Sequence, residues 1–428
     1  MIIMLVSTNL HYGRKVLKIE IPKRNLLAIL QPRKMKVKMN IKELIRKALK
    51  KPVGYEYLDS IIGGKRSALI VVDDYTRETP TSKILPLIIE ELRSSGLRKE
   101  DIAILMALGT HRMPSKHEAY MKLGELADEY ETIFHDWKGE DMTLLGKTKD
   151  GVPIRVNKAI EKYEIILGIG MIVPHRVAGY SGGSKIIQPG ISGPEITGHT
   201  HWLSAGIPVE NILGKVDNDV RREMDYISKL SKLRAVLNVV MDRDMQVINA
   251  FFGETRLVYT RGAELARGVY GSYIPKKADI VIAECPSPKD IDMWQAAKAL
   301  YSAALAVKEG GTIILLARCP EGISREHPEV EQYGYMAYDE VNELVKNGEI
   351  DDLIAAAHIA HVGEIIKRKA RCYLISEIPR RIVEKVGFIY VNSLDEALEA
   401  SMKYHGEDSK VVIIKDAPNM LPIVRSHE

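Results

Sequence analysis

Cysteine and the large aromatic residues are scarce in this chain of 428 residues. Its 3 cysteines lie far apart and form no CxxC pair, so neither a disulfide framework nor a zinc site made of thiolates is indicated. With only 4 Phe and 3 Trp, the core must consist mainly of Ile, Leu, Val and Ala. The hydrophobic share of 46% and the charged share of 28% are ordinary, which excludes a disordered or collagen-like chain.

A strong charge of one sign and a long apolar run are also absent. Lys and Arg total 61 against 57 Asp and Glu, and the most basic stretch, 33–51, is interpreted as a strand followed by the exposed face of an amphipathic helix. The apolar opening MIIMLVSTNL is too short to span a membrane and lacks the basic start and cleavage site of a signal peptide. We therefore expect a cytoplasmic protein without a nucleic-acid or membrane partner.

Short apolar runs alternate with helical patterns in two blocks of the chain. The first block opens with the run Ser67–Asp74 and the second with the run that starts at Ala278. This alternation is typical of parallel sheets flanked by helices, so the sequence predicts two α/β domains with mostly parallel sheets and an active site in the cleft between them. We place the domains at residues 1–270 and 275–415 and expect that the tail, 416–428, could pack on the first domain.

Polar residues follow three successive predicted strands of the first block. Asp74 and Arg77 follow the first strand, His111 follows the second, and His175 follows the third. In open α/β sheets, ligands bind beyond the carboxyl ends of the strands. A lone histidine at a strand end is more often structural, but three such clusters in a row predict one shared active site.

A glycine-rich loop, Gly179–Lys185, comes soon after the third cluster. It is not a Walker A loop, because Ser184 separates Gly183 from Lys185. Its backbone N–H groups could face an anion. Alternatively, its glycines could serve a tight turn and nothing more.

Several histidines leave two interpretations open. His199 and His201 could bind a metal ion or could lie in an exposed turn. His358 and His361 are spaced i, i+3 on a predicted helix, either as a ligand pair or on its surface face, and His327 is predicted to be exposed.

One helix of the second block carries two polar side chains on the same face. Gln295 and Lys298 are spaced i, i+3 after the strand that begins at Ala278. They could reach across the cleft to a carboxylate, or they could belong to an exposed start of the helix.

In this order and spacing, the motifs resemble the nickel-dependent lactate racemase family. The matching segments are DxTR at Asp74–Arg77, GTHR at Gly109–Arg112, PH followed by GYSGGSK and PG at Pro174–Gly190, the histidine sixteen residues after Lys185, and WQAAK at Trp294–Lys298. The resemblance covers most of the chain. It implies an isomerase, namely a racemase or epimerase of lactate or a related 2-hydroxy acid.

The resemblance also implies a cofactor, a nickel-pincer nucleotide built on a pyridinium mononucleotide with thioamide and thiocarboxylate groups. It implies that Lys185 tethers this cofactor covalently and that His201 binds the nickel. Sulfur and imidazole ligands suit Ni(II), and the cofactor-biosynthesis enzymes become implied partners. The residues implied to hold the phosphate are Ser181, Gly182, Gly183 and Ser184.

In the implied reaction, hydride moves reversibly from the substrate α-carbon to the cofactor while a base takes the hydroxyl proton. His111 and His175 match the two acid–base residues, one for each enantiomer. Arg77 and Lys298 match the residues that bind the carboxylate. The other implied contacts are Asp74, which orients Arg77 or a histidine, and Gln295 and Trp294 beside the substrate.

Three positions depart from the family's pattern as we align it. A Trp expected near His358–Glu364 is absent, Trp294 stands in place of a Tyr, and Thr200 stands in place of an Asn. Because these positions are expected near the substrate, the acid could be lactate or a larger or more polar one, such as malate. A metal-dependent hydrolase or lyase that uses the same histidines is the alternative.

Overall fold

The computed structural model describes residues 4–425. Its strands are β1 (Leu5–Tyr12), β2 (Lys15–Pro22), β3 (Leu26–Leu30), β4 (Ala68–Asp73), β5 (Ile102–Ala107), β6 (Glu131–Phe134), β7 (Met142–Lys147), β8 (Pro153–Asn157), β9 (Ile165–Met171), β10 (Pro174–His175), β11 (Gly179–Tyr180), β12 (Leu233–Met241), β13 (Val247–Gly253), β14 (Gly271–Ile274), β15 (Ala278–Glu284), β16 (Val307–Leu316), β17 (Ala370–Ile375), β18 (Ile389–Tyr390), β19 (Val411–Ile414) and β20 (Leu421–Val424). Its helices are α1 (Ile41–Lys50), α2 (Asp59–Ile62), α3 (Thr81–Ser94), α4 (Lys116–Leu123), α5 (Leu126–Glu129), α6 (Pro194–Ala205), α7 (Val209–Ile212), α8 (Asp219–Leu230), α9 (Thr255–Tyr270), α10 (Met293–Ala306), α11 (Glu329–Tyr333), α12 (Tyr338–Lys346), α13 (Leu353–Gly363), α14 (Arg380–Lys385) and α15 (Leu394–His405).

Two six-stranded sheets organise the chain. The first has the order β13–β12–β9–β4–β5–β6 and is parallel except for the antiparallel pair β12–β13. The second has the order β18–β17–β16–β15–β19–β3 and is fully parallel. We call the bodies built on these sheets the first lobe and the second lobe. The predicted α/β class with mostly parallel sheets is confirmed.

Helices cover both faces of the first sheet, which explains its continuous apolar strands. All six residues of β5 are buried, as a parallel strand between two helical layers requires. Ile84 and Ile88 of α3 pack against one face of the sheet. Ile227 of α8 and Ile186 pack in a separate apolar cluster on the other face.

The start of the chain belongs to the second lobe, contrary to the expectation that residues 1–270 form one domain. β3 pairs in parallel with β19 at the edge of the second sheet. Leu10 and Ile19, from the β1–β2 hairpin, are buried with Ile280 and Ile314 in one cluster. A short apolar strand is compatible with many sheet edges. Since this partner lies at the opposite end of the chain, no local pattern could select it.

The tail touches both lobes. β20 pairs in parallel with β14, which directly follows the last helix of the first lobe. The turn Ala417–Asn419 contacts α10 of the second lobe, and Leu421 lies against Gly214 of the first. Residues 426–428 of the expected tail lie outside the described residues. Within residues 4–425, no helix combines the length and apolar character needed to cross a bilayer.

Candidate functional site

A pocket between the lobes collects nearly all of the residues predicted to act. It lies beyond the carboxyl ends of β4, β5 and β9, as expected for a parallel sheet. The predicted residues that line it are Asp74, Arg77, His111, His175, Ser181, Gly182, Lys185, His201, Trp294, Gln295 and Lys298. The two remaining ones, Gly183 and Ser184, are buried behind the pocket wall.

Asp74 and His111 form an acid–imidazole pair at the ends of β4 and β5. Nδ1 of His111 lies 3.2 Å from Oδ2 of Asp74, while Thr76 donates to the other carboxylate oxygen from its N–H at 2.7 Å and from its hydroxyl at 2.5 Å. Burial by itself would raise the pKa of Asp74, but His111 and Arg77 outweigh it and hold that pKa well below its ordinary value. An ionised Asp74 favours the tautomer with the proton on Nδ1, so Nε2 of His111 keeps a lone pair.

Gln295 and Lys298 reach this pair from the second lobe. Nε2 of Gln295 lies 3.3 Å from Nε2 of His111. Nζ of Lys298 donates to Oε1 of Gln295, which orients the amide with its N–H₂ toward the imidazole. Asp292 accepts the Gln295 N–H at 2.7 Å and so caps α10 just where both side chains emerge.

Carboxylates near the pocket do not fully balance the positive charges of Arg77 and Lys298. Burial, followed by the charge of Arg77, holds the pKa of Lys298 well below its ordinary value. Arg77 itself lies 3.7 Å from Asp74, a carboxylate that it shares with His111. An anion placed between Arg77 and Lys298 would therefore raise the pKa of Lys298, so that the lysine becomes charged, and both residues would bind the anion.

His175, in the β10–β11 hairpin, has the opposite hydrogen-bonding arrangement to His111. Its Nδ1 accepts the backbone N–H groups of Val177 at 3.2 Å and Ala178 at 3.3 Å. The neutral ring must therefore carry its proton on Nε2. Burial, followed by the charge of Lys185, holds the pKa of His175 well below its ordinary value. The two imidazoles thus differ, since His111 offers a lone pair where His175 offers an N–H.

The glycine-rich loop is held from behind by one buried arginine. Arg221 stacks on Tyr259, with 3.9 Å from its guanidinium carbon to the ring centroid. The loop carbonyls that accept from its guanidinium belong to Ala178, Tyr180 and Gly182. Gly182 has a φ of +78°, and a Cβ there would lie 2.6 Å from Cγ1 of Ile172, so only glycine fits.

This loop delivers Lys185 to the pocket. The lysine follows Ser184 in a short 3₁₀ turn, and no carboxylate among residues 4–425 forms an ion pair with its amine. Burial, followed by the charge of Arg77, lowers the pKa of Lys185 to about 7. A substantial fraction of the amine is therefore uncharged at neutral pH, which makes it a nucleophile.

Three other polar groups of the loop are already engaged within the protein, so these three are not free to hold a phosphate. The N–H of Gly183 donates to Oδ1 of Asn238 at 2.8 Å. The hydroxyl of Ser184 donates to Oδ1 of Asp225 at 2.6 Å, and that of Ser181 donates to a backbone carbonyl of β9 at 2.7 Å. Gly183 and Ser184 therefore shape the loop and face away from the pocket.

His201 offers a free nitrogen to the pocket from α6. Its Nδ1 lies 2.8 Å from the carbonyl of Thr197, which can only accept, so the proton is on Nδ1 and the lone pair on Nε2. Burial lowers the pKa of His201 to about 4. A neutral imidazole with its second nitrogen fixed by a carbonyl is the usual state of a metal-binding histidine. His199, the other member of the pair, is not in the pocket lining and lies 3.9 Å from Asp150.

Histidines of the second lobe that were predicted on the surface are buried at the pocket. His358 and His361 lie on α13, which is buried from Ile354 to Gly363. Both His358 and His327 stack on Trp294, each with ring centroids 4.1 Å apart. The sequence signal was the apolar character of α13 on all sides, which is typical of a buried helix.

One group of side chains in the second lobe is close enough to hold a metal ion. Its members are His327, Glu329 and Asp352. Oδ2 of Asp352 lies 2.7 Å from Nδ1 of His327, and Oδ1 caps α13, whereas Oε2 of Glu329 is buried without a hydrogen-bond partner among residues 4–425. Within residues 4–425, the three pocket histidines of the first lobe do not form such a group.

An α/β protein with a buried cationic pocket between two lobes, and two imidazoles beside its cations, has the site of an enzyme that acts on a small anion. The family model described as the lactate racemase N-terminal domain matches residues 12–212, and the one described as the lactate racemase C-terminal domain matches residues 274–421. The chain belongs to the lactate racemase family, whose members are isomerases.

Full-length relatives agree with this assignment. The chain is 26% identical to the lactate racemase of Thermoanaerobacterium thermosaccharolyticum, over 97% of this chain and 99% of that protein. It is 27% identical to the lactate racemase of Lactiplantibacillus plantarum, over 96% of this chain and 98% of that protein.

Solved structures show the same fold. The lactate racemase apoprotein from Thermoanaerobacterium thermosaccharolyticum matches with a TM-score of 0.87 at 27% identity, covering 98% of this chain and 100% of that one. A crystal structure of a protein from Thermotoga maritima matches with a TM-score of 0.72 at 25% identity, covering 90% of this chain and 98% of that one.

Proposed function

We propose that this protein racemises or epimerises a 2-hydroxy acid, either lactate or a related acid, at its α-carbon. The observation that carries the proposal is that four groups line one buried pocket. Two are the neutral imidazoles of His111 and His175, which have opposite hydrogen-bonding states. The other two are the basic side chains of Arg77 and Lys298, which lack sufficient counter-charge. Membership of the lactate racemase family supports the same reaction class.

Arg77 and Lys298 bind the substrate carboxylate in this proposal. They come from different lobes, and burial, followed by the charge of Arg77, holds the pKa of Lys298 well below its ordinary value. A carboxylate between them offsets that repulsion. The planar guanidinium can donate two parallel hydrogen bonds and fix the orientation of the acid, while the ammonium adds a point charge.

The pocket also fits the nickel-pincer nucleotide of the resemblance. Lys185 supplies an amine that is partly uncharged at neutral pH, and His201 supplies a neutral nitrogen lone pair at the same pocket. We assign Lys185 as the covalent tether and His201 as the nickel ligand, with other enzymes making and attaching the group. When bound, this group supplies the acceptor for the hydrogen that leaves the α-carbon as hydride, and returns it to either face.

His111 and His175 handle the hydroxyl proton. His111, with its lone pair on Nε2, takes the hydroxyl proton of one enantiomer as the α-hydrogen leaves. His175 does the same for the other enantiomer once its own proton has moved from Nε2 to Nδ1 and Nδ1 has released the N–H groups that it now accepts. Return of the hydrogen to the opposite face would invert the configuration, and the other imidazole would give the oxygen a proton that it takes from solvent. Asp74 stabilises the charge that develops on His111, and Gln295 holds the same imidazole from the second lobe.

The test is to produce the protein together with the cofactor-making enzymes and to screen 2-hydroxy acids by chiral chromatography. We expect single enantiomers to be converted to mixtures by protein that carries a mass adduct on Lys185 and stoichiometric nickel. Protein with an unmodified Lys185 under these conditions, or loaded protein that racemises none of the acids, would reject the proposal.

A further inference from the structure

One corner of the pocket is not used by the reaction as proposed. Its side chains come from the β10–β11 hairpin and from α10 and α13. We call it the Arg176 corner, and its members are Arg176, Tyr301, His358 and His361. The rings of Tyr301 and His361 meet edge to face with centroids 6.0 Å apart, and the hydroxyl of Tyr301 lies 3.4 Å from Nδ1 of His358.

Arg176 is a buried cation with an unused donor. Arg176 is only 8% exposed. Its Nη2 donates to the carbonyls of Ser204 and Ile207. The other terminal nitrogen, Nη1, is buried and has no hydrogen-bond partner among residues 4–425, and Arg176 is one of the residues that line the pocket. Burial lowers the pKa of Arg176 to about 10, so the group stays charged at neutral pH.

The imidazoles of the corner do not provide a second charge. The hydroxyl of Ser204 donates to the carbonyl of His201 at 2.6 Å, so it can only accept from Nε2 of His361 at 3.0 Å. His361 is thus neutral, with its lone pair on Nδ1. Burial, followed by the charge of Arg176, holds its pKa well below the ordinary value. The corner therefore offers one guanidinium charge within polar, uncharged walls.

An unpaired buried charge is costly, and a bound anion offsets that cost. We propose that Arg176 binds a second carboxylate, at the side-chain end of the substrate, so that the preferred substrate is a 2-hydroxy dicarboxylate and not lactate. This inference rests on the proposed function, in which Arg77 and Lys298 take the α-carboxylate. The same donor chemistry could instead hold the phosphate of the cofactor, and the experiment separates the two.

The first measurement uses the loaded wild-type enzyme and three acids. These are 2-hydroxysuccinate, its side-chain amide, and 2-hydroxybutanoate. The amide has the size of the dicarboxylate but lacks its second charge. A hydrogen bond to a charged group is worth about 1.5 to 3 kcal/mol, so we expect kcat/KM for 2-hydroxysuccinate to exceed that for the amide roughly 10- to 100-fold. Equal values for the two acids would overturn the proposal.

The second measurement uses Arg176→Gln and the milder Arg176→Lys, with Arg222→Gln, an exposed arginine of α8, as the control. We expect R176Q to lose the preference for the dicarboxylate while its kcat/KM for the amide changes less than about threefold. R176K should keep part of the preference, and R222Q all of it. Equal losses for all three acids, with less adduct on Lys185, would assign Arg176 to the cofactor phosphate and overturn the proposal.

A third measurement needs no turnover. In the unloaded protein, 2-hydroxysuccinate should raise Tm more than the amide does, and R176Q should remove the difference. An equal rise in Tm with both acids would count against the second-carboxylate site. Loaded enzyme that racemises none of the acids would reject the proposed function, whereas racemisation without a preference for the dicarboxylate would reject the Arg176 assignment alone.

Discussion

The two walls of the pocket are built in different ways. The first-lobe wall consists of loops that follow parallel strands and carries Asp74, His111, His175 and Lys185. The second-lobe wall consists of the helices α10 and α13, and it presents rings and amides more than charges. Most of the motifs that carry the resemblance lie in the first wall, whereas two of the three departures, at Trp294 and near His358–Glu364, lie in the second.

This difference suggests that one set of residues carries out the reaction and another selects the substrate. Groups that move protons, or that anchor a cofactor, need fixed geometry, and short loops at strand ends supply it. Groups that select a substrate need only a complementary surface, so a helix face can change its side chains without changing the reaction. We therefore expect substitutions of the acid–base and cofactor-anchoring residues of the first wall to abolish the chemistry. Substitutions in the second wall, and of Arg176 in the β10–β11 hairpin, should instead change which acid is preferred.

The largest effect is expected for Lys185→Ala, which removes the anchor of the first wall. The protein should fold, since the loop is held by Arg221 and not by Lys185. It should carry no adduct by intact mass spectrometry and show no racemisation. Lys215→Ala, a substitution outside the pocket lining, is the control and should load normally. A K185A protein with normal adduct and activity would disprove the tether.

His111→Ala or His175→Ala should keep the cofactor but lose turnover. Loss of a general acid–base group typically costs about 10²- to 10⁴-fold in kcat. The measurement is kcat for each enantiomer, with adduct mass as a check on loading. His117→Ala, on the exposed side of α4, should match the wild type. Racemisation by either variant at the wild-type rate would remove that histidine from the mechanism.

Lowering the pH should reduce the free energy of unfolding through buried histidines in both walls. Burial lowers the pKa of His201, in the first wall, to about 4, whereas the ordinary value that the unfolded chain retains is about 6.5. Between about pH 4 and pH 6.5 the unfolded chain binds more protons at His201 than the folded protein does. The contribution of neutral His201 to the free energy of unfolding is therefore complete above pH ~6.5 and falls as the pH drops toward 4. The loss is at most about 1.4 kcal/mol per pH unit for one such group.

Urea unfolding of the unloaded protein at pH 7 and pH 5 measures this loss. Burial also lowers the pKa of His358, in the second wall, to about 3, so the same sign applies there. His358→Gln, which cannot take up the proton, should show a smaller decrease between the two pH values. An unchanged free energy of unfolding in the wild type would contradict the neutral, buried state of these histidines.

The smallest effect is expected for Trp294→Tyr, which places in the second wall the residue that the resemblance leads us to expect there. Trp294 is stacked between His327 and His358, so a smaller ring enlarges the pocket without removing a proton-transfer group. We expect the ratio of kcat/KM between two 2-hydroxy acids to shift roughly 10-fold, the usual range for a change in apolar contact. Loss of racemisation with every acid would show that the second wall takes part in the chemistry itself.

The sequence predicted the first wall well because its information is local. Asp74, His111 and His175 each follow an apolar strand directly, and parallel strands bring their carboxyl ends to one edge. The pairing of β3 with β19 was not predictable in this way, because it joins the two ends of the chain. The alternation of strands and helices nevertheless identified the α/β class.

Features of either wall that depend on tertiary contacts were harder to predict. His327 is far from α10 in sequence, and only the folded lobe stacks it on Trp294. Arg176 directly follows His175 in sequence, yet nothing in the motif shows that one of its nitrogens stays without a partner. The engagement of Gly183 and Ser184 by Asn238 and Asp225 likewise depends on residues from other elements.

The central proposal is that the α-hydrogen leaves and returns as hydride, and its direct test is an isotope measurement. One enantiomer of the substrate, carrying deuterium at the α-carbon, is racemised in ordinary water by the loaded enzyme, and the product is analysed by mass spectrometry. We expect the product of opposite configuration to retain the deuterium. Replacement of the deuterium by solvent hydrogen at the rate of racemisation would instead show proton abstraction from carbon and would contradict the account.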